Sequence, residues 1–283
     1  MFSRTLISIP FTGKASILRM IYTFFTELLG KRDLILSLSI RNFKSAYSGS
    51  LLGMTWVLLE PLVYVFLLWF FFTKAMKFQP PENHPFVPWL MTAMALWNFV
   101  SLTLTSSAGT FKSHSFLLRR PDFNVAVLPV VNILTGLYIH AIFLVILVVM
   151  LWLNDIAFTL YWFQSLYYLA ATATLLLGLA WITASLGLFI KDVGHIVGVA
   201  LQFGFWVSPI FWSLDTFPKG YHFLLELNPL TYLLEGYRKS FIYAQPFWTD
   251  LHGIAYFWSF TFVILIVGVF TYKKLRPHFG DVI

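Results

Sequence analysis

The chain has 283 residues, of which 59% are hydrophobic and only 11% charged. Soluble domains carry about a quarter charged residues, so this composition argues against a cytosolic enzyme, a disordered chain or a nucleic-acid-binding domain, even with a formal net charge of +7. Zero cysteines exclude a disulfide framework, thiolate metal sites and thiol catalysis, and the chain reads as an integral membrane protein.

In chain order, residues 1–50 hold seven Lys/Arg and no isolated apolar core with a cleavage site. They read as a retained cytoplasmic segment rather than a signal peptide. Within it, Leu36, Ile40, Phe43 and Tyr47 fall on one helical face, with Ser37, Arg41, Lys44 and Ser48 opposite. This predicts an amphipathic helix along the membrane surface, either a simple anchor or a docking surface for a cytoplasmic partner. A span of roughly 20 apolar residues is needed to cross a bilayer. The first predicted span covers about 51–73 and contains Glu60 next to Pro61. An intramembrane carboxylate faces a bundle interior or a pathway, and a hydrogen bond to a neighbouring helix is the simpler role for it.

The second span is predicted at about 87–107. The loop at 109–124 mixes Phe111, Phe116, Leu117 and Leu118 with Lys112, Arg119 and Arg120. It reads as an apolar knob with a charged rim for a partner's cleft, or as an ordinary snorkelling loop. Spans three and four follow at about 125–153 and 162–190. A turn at Lys191-Asp192 leads into a fifth span at about 193–212. The segment 213–250 is largely apolar yet divided by Pro218, Pro229 and Pro246. Asn228-Pro229 sets a helix start, and the 14 residues from 230 to 243 are too short to cross. This predicts a two-helix re-entrant gate, with an amphipathic hairpin resting on lipid as the alternative. A sixth span at about 253–272 precedes a cytoplasmic tail, 273–283.

Lys and Arg counting places 14 cations on the side of both termini and 5 on the other, which makes the richer side cytoplasmic. Aromatic residues crowd the first and fifth spans, where they suit interfacial belts or a conduit whose rings stack on pyranose faces. No GxxxxGK[ST] loop, HExxH, GxSxG or paired-carboxylate motif occurs, so a conduit is favoured over an enzyme.

Three passages then resemble the polysaccharide-export permeases of the ABC transporter superfamily. They are Tyr47-x-x-Ser50-x-Leu52-Gly53-x-x-Trp56-x-x-x-x-Pro61, then Lys191-Asp192 with Gln202 and Ser208-Pro209-Ile210, and finally Asn228-Pro229 with Arg238. Lys191 stands where the family usually has Arg. The resemblance covers nearly the whole chain after about residue 30. It implies an all-α homodimeric permease of the bacterial inner membrane, served by two copies of a separate ATPase subunit that binds ATP and Mg, with no cofactor on this chain. The cargo it implies is a lipid-linked glycan such as O-antigen, capsule or teichoic acid.

By the same resemblance the channel is lined by residues of the first and fifth spans, with Trp56, Glu60, Tyr64, Phe205 and Trp206 as candidates. Phe111, Phe116, Leu117, Arg119 and Arg120 couple to the ATPase. Lys31, Arg32, Arg41 and Lys44 meet the lipid headgroup, and Asn228, Pro229, Glu235 and Arg238 form an outer gate. The expected domains are 1–50, a six-span permease over 51–272 with both termini cytoplasmic, two re-entrant periplasmic helices at about 213–250, and the tail. An exporter of a small lipid or drug is the nearest alternative, and a membrane-bound glycosyl or acyl transferase the more distant one.

Overall fold

The computed structural model describes residues 26, 30–75, 84–119, 123–214 and 219–282, and they form an all-α bundle. An entry helix, α1 (Arg32–Tyr47), leads through a short turn into α2 (Trp56–Trp69), α3 (Phe86–Ala108), and two single-turn helices, α4 (Thr110–Ser113) and α5 (Ser115–Leu118). The chain continues through α6 (Val127–Leu153), α7 (Ser165–Phe189), α8 (Val193–Val207), α9 (His222–Glu226), α10 (Pro229–Phe241) and α11 (Leu251–Leu275).

Central and peripheral helices are separated by burial. In α3, 72% of the most apolar stretch is buried, because it packs on α6, α7, α8 and α10 at once. Around α2 the figure is 18%, so that helix lies at the rim with most side chains facing outward. Helices α7 and α11 pack closely, and glycine makes the approach possible. A Cβ on Gly268 would sit 2.5 Å from the Gly178 carbonyl oxygen, and one on Gly178 would sit 2.9 Å from the Ile264 backbone.

The two largest of four buried clusters among the described residues lie toward opposite ends of the bundle. At one end Trp89, Leu90, Leu147, Leu233, Leu234 and Phe257 pack together. At the other, Ile35 of α1, Phe111 of α4, Trp181 of α7, and Tyr272 and Phe279 of the C-terminal segment share a second cluster.

Five stretches are long and apolar enough to cross a membrane: Gly53–Phe72, Phe86–Ala108, Val127–Leu153, Leu160–Phe189 and Leu251–Asp281. They coincide with the expected spans one, two, three, four and six. The expectation of six spans is corrected to five among the described residues. The stretch read as the fifth span holds only the 15-residue α8, about 22 Å at 1.5 Å per residue against a hydrocarbon core of about 30 Å. Counting apolar residues through 212 overlooked Pro209, which forces its predecessor out of helix. Ser208 is indeed extended, with ψ 147°. The placement of both termini on the cytoplasmic side rested on an even number of crossings, and five do not carry it.

The two re-entrant periplasmic helices are corrected as well. Pro218 lies outside the described residues, and the segment forms the 5-residue α9 and the 13-residue α10. Nothing in their arrangement gives a re-entrant or periplasmic topology. On α10 the apolar character is spent on protein, whereas Phe223 and Leu224 of α9 stay exposed. Leu233, Leu234, Tyr237 and Phe241 of α10 are buried against the long helices.

The face of α1 that packs on protein is not the most apolar one. Leu36 and Ile40 stay exposed, whereas Ile35 and Ser39 are buried. The Ser39 hydroxyl lies 3.2 Å from the Tyr138 hydroxyl, and Phe43 meets the Tyr138 ring edge-on. The docking stripe on α6 is thus the one beside the most apolar stripe.

Candidate functional site

A cavity of about 530 Å³ opens between α2, α3, α6 and α8. It brings together four of the five expected channel residues. Glu60 and Tyr64 come from α2, and Phe205 and Trp206 from α8. Trp56, at the first residue of α2, is exposed and stands outside the cavity wall. Pro61, buried behind Glu60, removes one backbone donor from α2 at the level of the cavity.

The wall that α3 contributes was not anticipated. Asn98, Ser101 and Thr105 face the cavity, and their spacing of three and four residues is one helical face. This polar stripe inside an otherwise apolar span was legible in the sequence. Gln202 of α8 lines the opposite side and Tyr47, the last residue of α1, the mouth. Burial, and secondarily the nearby Glu60 carboxylate, push the Tyr47 phenol above its ordinary range. The aromatic end is closed by Trp97 against Phe205 (5.6 Å between centroids) and by Trp206 against Phe211 (5.0 Å). A lining that mixes polar side chains with aromatic rings suits a polyhydroxyl group.

The end of α8 is bolted to α10 and α3. The Arg238 side chain is fully buried and stacks on the Trp89 ring at 3.6 Å. It donates to Glu235 at 2.7 Å and to the Ile210 carbonyl at 2.6 Å. The one-turn spacing anticipated the ion pair, but the ring and the carbonyl come from segments distant in sequence. Asn228 caps α10 by accepting from the Leu230 amide at 3.0 Å, and its amide donates to the Ser208 hydroxyl at 2.9 Å. Pro229 takes the first helical position. A second buried link joins α6 to α10: His140 has Nδ1 3.1 Å from the Ala95 carbonyl and Nε2 2.9 Å from the Tyr237 hydroxyl. Three elements of the bundle are therefore fixed relative to the helix that lines the cavity.

The residues expected to meet an ATPase split into two sorts. Phe111 is fully buried, 6.2 Å from Tyr272 and 5.2 Å from Phe279 by ring centroids, and so anchors the loop rather than projecting from it. Phe116 is 54% exposed, with Leu117 half-buried and Arg119 at the surface beside it. Arg120 lies outside the described residues. On α1, Arg32, Arg41 and Lys44 are exposed and Lys31 half-buried, and Arg32 reaches Asp33 only loosely, at 3.9 Å.

Five apolar crossings, a polar-aromatic cavity within them and an exposed basic helix at one end define a multi-pass membrane permease. Residues 33–242 match the family described as ABC-2 type transporter, and the chain belongs to that family. It is similar to proteins described as "O-antigen export system permease protein RfbA". One, from Klebsiella pneumoniae, is 24% identical over 253 residues, covering 89% of this chain and 95% of that protein. Another, from Myxococcus xanthus, is 27% identical over 260 residues, covering 90% and 97%. Membership makes the chain a non-catalytic permease subunit of the inner membrane. At family level it implies a membrane substrate and an ATPase partner that handles ATP and Mg.

Proposed function

We propose that this chain exports a lipid-linked polysaccharide of the O-antigen kind, as one of two copies that pass the glycan between them. The observation that carries the reading is the cavity that gathers Glu60, Tyr64, Phe205 and Trp206 opposite the polar stripe of α3. The descriptions of the relatives as O-antigen export permeases support the cargo. The second copy docks across α2 and α8. Val63, Phe66 and Leu67 on one and Ile196, Val199 and Phe203 on the other leave a broad apolar face exposed beside the cavity. Trp56, at the edge of that face, lines the path only once the second copy is present.

Two ATPase subunits bind the end of the bundle formed by α1 and the helices α4 and α5. Phe116, Leu117, Arg119 and Arg120 engage them, with Phe111 as the internal anchor. Lys31, Arg32, Arg41 and Lys44 attract the charged lipid headgroup, by Coulomb attraction that weakens with salt. Residues 1–50 and 273–283 act as end segments flanking the permease domain, 51–272.

The test is deletion of the gene in its host, followed by measurement of surface glycan and rescue by variants. Loss of surface glycan and its rescue by the wild-type chain are expected. A variant with alanine at Trp56, Tyr64, Phe205 and Trp206 should reach the membrane and export slowly. Normal surface glycan in the deletion strain, with a drug or small lipid retained instead, would overturn the cargo.

A further inference from the structure

A second cavity, about 640 Å³, lies between α9, α10 and the start of α11. Its size is within the roughly 300–1,000 Å³ of small-molecule sites, and its lining shares no residue with the first. Glu226, Lys239, Asp250 and His252 border it. No ion pair joins Glu226 or Lys239 to another described residue, so opposite charges stand around one space without neutralising each other. Glu235 also borders the cavity but is occupied by Arg238.

The walls are aromatic, and their polar atoms are already in use. The Tyr256 hydroxyl donates to the Leu227 carbonyl, and the Tyr232 hydroxyl lies 3.0 Å from that of Tyr167. Ring carbon is therefore what Tyr232 and Tyr256 offer the cavity, together with Phe223. Asp250 is held in place because its Oδ1 accepts from the Gly253 amide at 2.8 Å. A Cβ on Gly253 would come within 2.3 Å of Asp250 Oδ2 and 2.9 Å of the Tyr232 ring. The close approach of carboxylate, ring and backbone at this corner thus requires glycine.

A purely cationic ligand would meet Lys239, and a purely anionic one would meet the carboxylates. A neutral polyhydroxyl ring satisfies both. Its hydroxyls donate to Glu226 and Asp250 and accept from Lys239, as charge-assisted hydrogen bonds, while its C–H face rests on the aromatic wall. We infer that this cavity is a second saccharide-binding site of the permease, separate from the cavity between α2 and α8. The inference rests on the polysaccharide reading above. It adds a place where one or two sugar units are held rather than passed.

The chain has no cysteine, so a single introduced thiol reports its own surroundings. Leu227→Cys places one at this cavity and Leu102→Cys one at the first. Each purified full-length variant is treated with a small methanethiosulfonate reagent, with and without soluble oligosaccharide released by mild acid from the host's surface glycan. Oligosaccharide should slow modification of the Leu227→Cys protein at least fivefold. Adding Glu226→Gln with Lys239→Met, both substitutions at the cavity rim, should abolish that protection. Asp250→Asn, which keeps an acceptor for the Gly253 amide, should weaken it. An unchanged rate in the Leu227→Cys protein, or protection that survives the double substitution, overturns the inference. The polysaccharide reading falls separately, and only if surface glycan is normal in the deletion strain.

Discussion

Replacing Arg238 by methionine removes a buried cation that ties three segments together while keeping much of its volume. Glu235, whose side chain is 20% exposed, loses its partner, the Ile210 carbonyl loses its donor, and the Trp89 face loses its cation. Each charged hydrogen bond is worth about 1.5–3 kcal/mol, and the cation–π contact about 2 kcal/mol when desolvated. These terms overlap, and breaking a buried pair by removing one partner typically costs about 3–5 kcal/mol, which is the expected loss. The assay is reversible unfolding of the purified permease in mixed micelles, run as a double-mutant cycle with Glu235→Gln. Since Glu235→Gln removes the charge that Arg238 leaves stranded, the double variant should be more stable than the sum of the single losses by about 1–3 kcal/mol. Arg238→Lys should fall in between, because a point ammonium cannot serve the carboxylate, the carbonyl and the ring together. A loss under about 1 kcal/mol for Arg238→Met, or strict additivity, would refute the idea that this side chain bolts α8 to α10.

Tyr237→Phe leaves His140 Nε2 without its buried partner, and a loss of about 1–3 kcal/mol is expected in the same unfolding assay. Gly236→Ala puts a Cβ about 2.0 Å from the Tyr168 ring, so the helix has to shift, and little folded protein should survive size-exclusion chromatography. Phe116→Asp with Leu117→Asp should release the ATPase in co-purification with only a modest fall in melting temperature, since Phe116 is exposed and Leu117 packs on the second core only in part. By contrast Phe111→Asp, which buries an unpaired carboxylate between Tyr272 and Phe279, should lower the melting temperature sharply. Equal effects of the two on stability would mean that Phe116 belongs to the core.

Five membrane spans were readable from apolar run length alone, because a helix in lipid satisfies its own backbone and needs only length and composition to cross. The cap at Asn228 with Pro229, and the Glu235–Arg238 pair, were also readable, since both depend on neighbours within one helical turn. The grouping of Glu60 and Tyr64 with Phe205 and Trp206 was suggested only through family resemblance; periodicity carries no information about which helices adjoin. Local apolarity could not distinguish burial in lipid from burial in protein. That is why 193–212 was read as a span and 213–250 as re-entrant, although Pro209 ends α8 early and α10 packs its apolar face on α3 and α7. On α1 the helical wheel gives an apolar stripe but not the stripe that meets α6, where Ile35 and Ser39 are buried. Only the tertiary structure set Arg238 on Trp89 and Ile210, left Glu226 and Lys239 around one cavity without an ion pair among the described residues, and turned Phe111 inward. Each of these depends on residues tens of positions apart, and the distance between such residues is a property of packing.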